Sequence, residues 1–481
     1  MAMGRREGEQ PSMWVATQKL AQSPGHVFYD RLNEVLDAGG FDRFVEERCA
    51  SYYADVQGRP SIPPGVYFRM LFIGYFEGLT SQRAIAWRCA DSLSLRAFLR
   101  IDLSRGTPEH SSMTNTRKRL PEEVFWEVFG WVLRVAVEHQ LLKGKTIAVD
   151  ATTLEANAAM KSLVHRVSGE DWKTYVRGLM KAEGIEEPSD EEVRRFDRKR
   201  KKKTSNEDWQ SRTDPGSRIT KMKDGRTHLA YKAEHAVDLD SGLIVAPVVY
   251  RGTDADAETL PVSVELAREQ LAAAGSPHQV DEVVGDKGYH KAQTLQTLAE
   301  VQGVRTYIAE PKHPHRRTWH DKEPGQQQAV DANRRRIKGK RGRRLGRLRS
   351  EKAERSFAHT CETGGGRRTW LRGLVNVSKA HLMRAAACDL GIIMFALFGV
   401  GTPRSLQGSL GLVFVTLLWL LWRQHSRSIA RPASGAVYRI WPSLTAPSTS
   451  LRGEMAFSTG CYGHPQNGMA LQPSCAASLP T

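Results

Sequence analysis

From about His26 to Leu142, apolar residues recur at the spacing of amphipathic helices. In PPGVYFRMLFIGYFEGLTSQRAIAWRCADSLSLRAFL, Pro63 and Pro64 stand where a first helical turn tolerates proline, and Gly78 closes that helix. Thr80 or Ser81 caps the next helix, which begins near Gln82. Two helices joined by a short glycine-containing turn fit a helix-turn-helix, with Arg83, Arg88 and Arg96 as phosphate contacts, and fit an ordinary helical bundle equally well. The stretch TPEHSSMTNTRKRLPEEVFWEVFGWVLRVAVEHQLL then predicts a short helix bearing Arg117, Lys118 and Arg119. A longer amphipathic helix follows, opened by Pro121 and Glu122. Basic residues on a short capped helix suit a DNA backbone, and a solvated face has the same composition.

At KTIAVDATTLEAN the period changes. An apolar run over about 145–150 predicts a strand ending on Asp150, where a carboxylate is expensive to bury without partners. A basic insertion at about 160–225, containing RRFDRKRKKK, is too charged to pack and predicts a flexible loop that touches phosphates or a solvated surface run. Two β-rich runs in HLAYKAEHAVDLDSGLIVAPVVYRG flank Asp240, Ser241 and Gly242, a hairpin signal. After a helix near 256–274, DEVVGDKGYH gives a strand from Glu282 to Gly285 that ends on Asp286. GVRTYIA (303–309) reads as a further strand, and Pro311 to Arg347 as a polar, basic connection. From about 347 the spacing is helical again, and LRGLVNVSKAHLMRAAACDLGIIMFALFG is a long apolar helix.

Composition narrows the partner. Seventy Lys and Arg against 53 Asp and Glu give +17 over 481 residues, a balance that favours a polyanion such as nucleic acid. The six cysteines, at 49, 89, 361, 388, 461 and 475, lack the close pairs of a zinc or redox site and suit a reducing cytosol. The first 25 residues read as a flexible N-terminus without a secretion address. In the last segment, 401–481, the apolar run Leu410–Trp422 falls short of the ~20 residues that span a bilayer. It is expected to be a packed or interfacial helix with no stable membrane association, followed by a Ser-, Pro- and Gly-rich disordered tail.

The order of elements collects the acids. A strand bearing Asp150, a hairpin, a helix, a strand ending on Asp286, another strand and a helix carrying Glu351 and Glu354 fit an α/β fold. The expected form is an RNase H-like mixed sheet flanked by helices (143–400), preceded by an all-α N-terminal DNA-binding domain (26–142). In such a sheet the first strand is central and the later strand lies beside it, so Asp150 and Asp286 meet. Three carboxylates at one point repel unless a cation compensates. Hard oxygen ligands select Mg²⁺ or Mn²⁺, and two such ions about 3.5–4 Å apart serve phosphoryl transfer.

At VDATTLEAN, GDKGYH and EKAERSFAHTCETGGGRRTWLRGL the sequence resembles the DDE transposases of bacterial insertion sequences. Residues 26–142 look like the helical N-terminal domain that accompanies their catalytic domain. The resemblance implies binding to double-stranded DNA at the terminal inverted repeats, metal-dependent cleavage, and strand transfer into target DNA by a homodimer in a synaptic complex. It implies a cytoplasmic protein, nucleoid-associated when bound to DNA. Carried over residue by residue, Asp150, Asp286 and Glu354 are the catalytic metal ligands. Glu354 is preferred to Glu351 because it precedes Phe357 as the family's glutamate precedes an aromatic. The family's tyrosine and arginine before the glutamate and lysine after it are not all matched, since no tyrosine precedes Arg347 and Cys361 stands near the lysine's place. Arg347, Arg349 and Arg355 supply charge there, beside Arg83, Arg88, Arg117, Lys118 and Arg119 in the N-terminal region. Tyr289 is expected to pack rather than stack on a base, and Trp370 to lie in the core. A nuclease of the same fold and a catalytically dead DNA-binding derivative are the alternatives.

Overall fold

The structure is a computed structural model and describes residues 23, 25–54, 61–200, 205–222, 225–312, 318–320 and 322–404. The expected N-terminal tail, the apolar run at 410–422 and the C-terminal tail lie outside the described residues.

Among the described residues seven α-helices come first: α1 (Val27–Ala38), α2 (Phe41–Cys49), α3 (Pro64–Phe76), α4 (Gln82–Asp91), α5 (Leu93–Phe98), α6 (His110–Arg119) and α7 (Glu122–Glu138). α3 is apolar on every side and buried on every side. Its one charged residue, Arg69, is 2% exposed, ion-paired with Asp42 and Asp37, and lies over the Phe41 and Phe98 rings. Gly78 takes φ +70° in the turn that follows, and Ser81 caps α4 by accepting from Ala84 N–H.

The strand β1 (Thr146–Glu155) opens the sheet, followed by β2 (Leu163–His165), helices α8 (Trp172–Ala182) and α9 (Asp190–Lys199), and β3 (Trp209–Ser211). The rest are β4 (Arg218–Lys221), β5 (Thr227–Asp238), β6 (Ile244–Arg251), α10 (Asp256–Ala273), β7 (Glu282–Gly285), α11 (Ala292–Gln296), β8 (Arg305–Ile308), α12 (Pro324–Lys338), α13 (Lys340–Phe357) and α14 (Leu374–Phe398). β1 is central: it pairs antiparallel with β5 and parallel with β7. β7 pairs parallel with β8, while β6 and β4 both pair antiparallel with β5. Alternate residues of β1 serve two cores. Ile147 and Val149 join the main core with α3, α7, α10 and α14, whereas Ala148 meets Val284, Leu345 and Ala353 under α13. Helices and sheet therefore share one continuous core.

Three expectations need correction. β1 does not end at Asp150 but runs on to Glu155, because β5 keeps pairing with it after β7 has left. The described part of the 160–225 insertion is not a flexible loop. β2 and β3 pair, and α8 and α9 pack through Val176, Met180 and Val193. Asp171 caps α8 and a Ser189–Glu192 capping box starts α9, so a few apolar contacts and good caps suffice while the charges stay in solvent. The basic connection after Pro311 holds α12 and the first half of α13. Their inward stripes, Ala329 and Val330 on one and Gly342 and Leu345 on the other, are too narrow to stand out among so many arginines. α14 is long and apolar enough to cross a membrane, yet most of it is buried in the core. Its buried Asp389 accepts from Ile244 N–H and ties it to β6.

Candidate active site

The ladder between β1 and β7 pairs Thr146 with Glu282, Ile147 with Val283 and Ala148 with Val284. Two residues further along each chain stand Asp150 and Asp286. Asp150 shares the face of Ala148, toward α13, and its Oδ2 lies 3.2 Å from Arg349 Nη1. Asp286 continues β7 in extended backbone and its Oδ1 accepts from Gly288 N–H at 2.7 Å, which caps the short turn Lys287–Tyr289.

That turn is anchored underneath. Tyr289 is 1% exposed and its hydroxyl donates to Glu234 Oε2 at 3.0 Å. Glu234, on β5, is wholly buried, accepts from Thr259 and Ser263, and has Lys232 Nζ at 3.5 Å. Lys232 also pairs with Asp256 at 3.1 Å. Burial raises the Glu234 carboxyl above its usual range, against the pull of Lys232 and the hydroxyl donors. The Tyr289 phenol is raised by burial first, then by the charges of Glu234, Asp256 and Asp150. Gly288 sits between two of these acids: a Cβ there would stand 2.7 Å from Asp256 Oδ2 and 3.0 Å from Asp286 Oδ1. A side chain there would have to push one of the two carboxylates aside.

Across β1 and β5, Asp150 faces His235 and Ala151 faces Glu234, so the histidine shares the aspartate's side of the sheet. His235 is buried, stacks on Phe357 at 4.1 Å between centroids, and bonds Ser356 Oγ at 2.8 Å and His381 Nε2 at 2.7 Å. This pair fixes α13 against β5 and α14.

Glu354 does not join the aspartates. Ala353, Ser356 and Phe357 face the sheet, and at roughly 100° per residue Glu354 turns to the flank of α13, where it is exposed. Glu351 lies on the far side, paired with Arg355 at 2.9 Å. Among the described residues no group of three His, Cys, Asp or Glu is arranged to hold a metal ion. Arg347 is exposed, and Arg349 is spent on Asp150.

In the N-terminal helices Arg83, Lys118 and Arg119 are exposed, and Arg119 lies over the Tyr53 ring. Arg88 pairs with Glu77 at 3.4 Å, and Arg117 turns inward to Asn376. Trp87, 67% exposed and one turn from Arg83, was not foreseen. Trp370 is no core residue: it is 51% exposed with Arg368 over its ring. The Lys232–Glu234–Tyr289 anchor was missed as well, although charged residues inside the apolar run YKAEHAVD were the signal for it.

Residues 17–119 match a transposase domain family (DUF772), and residues 309–393 match a transposase DDE domain. The second match contains Glu354 and the α13 arginines; Asp150 and Asp286 fall between the two. No curated protein and no solved structure matches the chain.

Proposed function

We propose that this chain, an insertion-sequence DDE transposase as its two domain matches support, binds the terminal inverted repeats of its element and cleaves and joins DNA at Asp150 and Asp286. One observation supports the reading: two aspartates from distant parts of the sequence stand two residues past the last rung of the parallel β1–β7 ladder, on a sheet whose order β6-β5-β1-β7-β8 fits the RNase H-like expectation.

The donor chemistry fits a hard divalent cation. Both groups are carboxylates, and the Arg349 guanidinium on Asp150 stands in the place of a compensating cation and would have to yield to a metal. Asp150 and Asp286 would hold Mg²⁺ or Mn²⁺, while Glu354, exposed on the flank of α13, stands apart from them here. When bound, two such ions supply Lewis-acid charge for activating the attacking oxygen and stabilising the leaving one. The chain's own part is positioning: Tyr289 and Gly288 hold the turn that presents Asp286, and the His235–His381 pair holds α13, which carries Arg349 and Glu354. Exposed Arg83, Lys118, Arg119 and Arg347 suit phosphate contacts, and synapsis of two DNA ends calls for a dimer.

The test is labelled duplex carrying the flanking repeats, incubated with Mg²⁺ or chelator. Metal-dependent nicking at the repeat boundary with joined products is expected. Nicking without joining would instead mark a nuclease, and binding without nicking an inactive derivative.

A further inference from the structure

Between the helical layer and α14 lies a cavity of about 270 Å³, to which α3, α6, α7, α14 and the segment before α14 contribute. It draws on both matched regions, Arg117 from the first and Lys379 and Arg384 from the second. Among the described residues three cations line it, and no Asp or Glu does.

Those cations are poorly served. Arg117 Nε donates to Asn376 Oδ1 at 3.2 Å, Arg384 Nε to Gly364 O at 3.3 Å, and Lys379 Nζ to Leu120 O at 2.7 Å and Arg117 O at 3.3 Å. Among the described residues none of the three has a carboxylate within ion-pairing distance; Glu122 and Glu123 act on Lys379 from further off. Burial holds all three below their usual range. Beside them the Tyr67 hydroxyl is buried and has no hydrogen-bond partner among the described residues. An orphaned buried hydroxyl costs about 1–3 kcal/mol, and desolvated cations without a counter-charge cost more. Guanidinium and hydroxyl donors lining one acid-free space suit a tetrahedral oxyanion.

We infer that this cavity is a phosphate-binding site, in which Arg117, Arg384 and the Tyr67 hydroxyl grip one phosphate group. The phosphate is either a DNA backbone phosphate or a free phosphate anion. The first source rests on the transposase reading above; the second does not.

Two measurements on the full chain separate these. Inorganic phosphate is titrated into wild type, Tyr67→Phe and Arg384→Gln at constant ionic strength by calorimetry, and binding to repeat-end duplex is followed across a KCl series. Binding of inorganic phosphate weakened about tenfold in Arg384→Gln and about threefold in Tyr67→Phe is expected. A salt slope reduced by about one in Arg384→Gln identifies a DNA phosphate. Weakened phosphate binding with an unchanged slope identifies a free anion, and the site stands. Wild type that neither takes up phosphate nor differs from the variants in slope overturns the site. Tyr67→Phe keeps the ring in place and decides the outcome if Arg384→Gln does not fold. Wild type that binds no repeat-end DNA counts against the transposase reading, while the phosphate titration still judges the cavity.

Discussion

Asp286 reaches its position through a glycine and a tyrosine that perform no chemistry themselves. Gly288 threads between Asp256 and Asp286, so Gly288→Ala must displace one of the two carboxylates. Misplacement of a reacting group by about 1 Å costs up to about a hundredfold, and Gly288→Ala is expected to lower repeat-end cleavage tenfold or more, about, in a folded protein that still binds DNA. A nicking assay beside a binding assay measures both. Tyr289→Phe removes one donor from wholly buried Glu234 and is expected to destabilise the fold by about 1–3 kcal/mol, read from urea unfolding. At this scale the sequence was partly legible. Asp150 and Asp286 stood out because a carboxylate closing an apolar run is anomalous. Glu234 did not, because its partners, Thr259, Ser263 and Tyr289, come from separate elements that only the fold brings together.

The elements divide along similar lines. α3, α7 and α10 carry strong apolar periodicity or clear start signals and were legible; α12 and α13 carry long arginine runs that mask a narrow buried stripe. The end of β1 was illegible for a different reason. Its residues from Ala151 onward alternate in burial, and what keeps them in a strand is β5, almost eighty residues away along the chain by the register Thr153↔Lys232. Leu345 is the residue that seats the first half of α13 beneath Ala148 and Val284. Leu345→Ala is expected to cost about 2–5 kcal/mol in chemical denaturation, the usual range for a buried leucine. It should also loosen Arg349 from Asp150, since both depend on the same helix.

For the molecule as a whole, the helical layer and the sheet share a core, and buried polar groups stitch that core together. The His235–His381 pair makes that core sensitive to acid. Burial pushes the His381 imidazole down to about 3 and holds His235 well below its usual range, so both are neutral in the native state. The unfolded chain takes up these protons near pH 6.5, so the native state binds fewer protons below that pH. Stability is therefore full above about pH 6.5 and falls as pH drops from there toward 3, with His381 alone accounting for about 2 kcal/mol by pH 5. Thermal melts from pH 7.5 to 5 should show the fall, and His381→Asn should flatten it.

Asp150 and Asp286 are proposed to form one reactive centre separate from the surface that recognises DNA ends. The decisive comparison is wild type against Asp286→Ala on labelled repeat-end duplex, with Mg²⁺ and with chelator, reading binding and nicking in the same samples. Binding within about threefold of wild type, with metal-dependent nicking lost, is the expected result. Nicking that survives in a folded Asp286→Ala protein would contradict it.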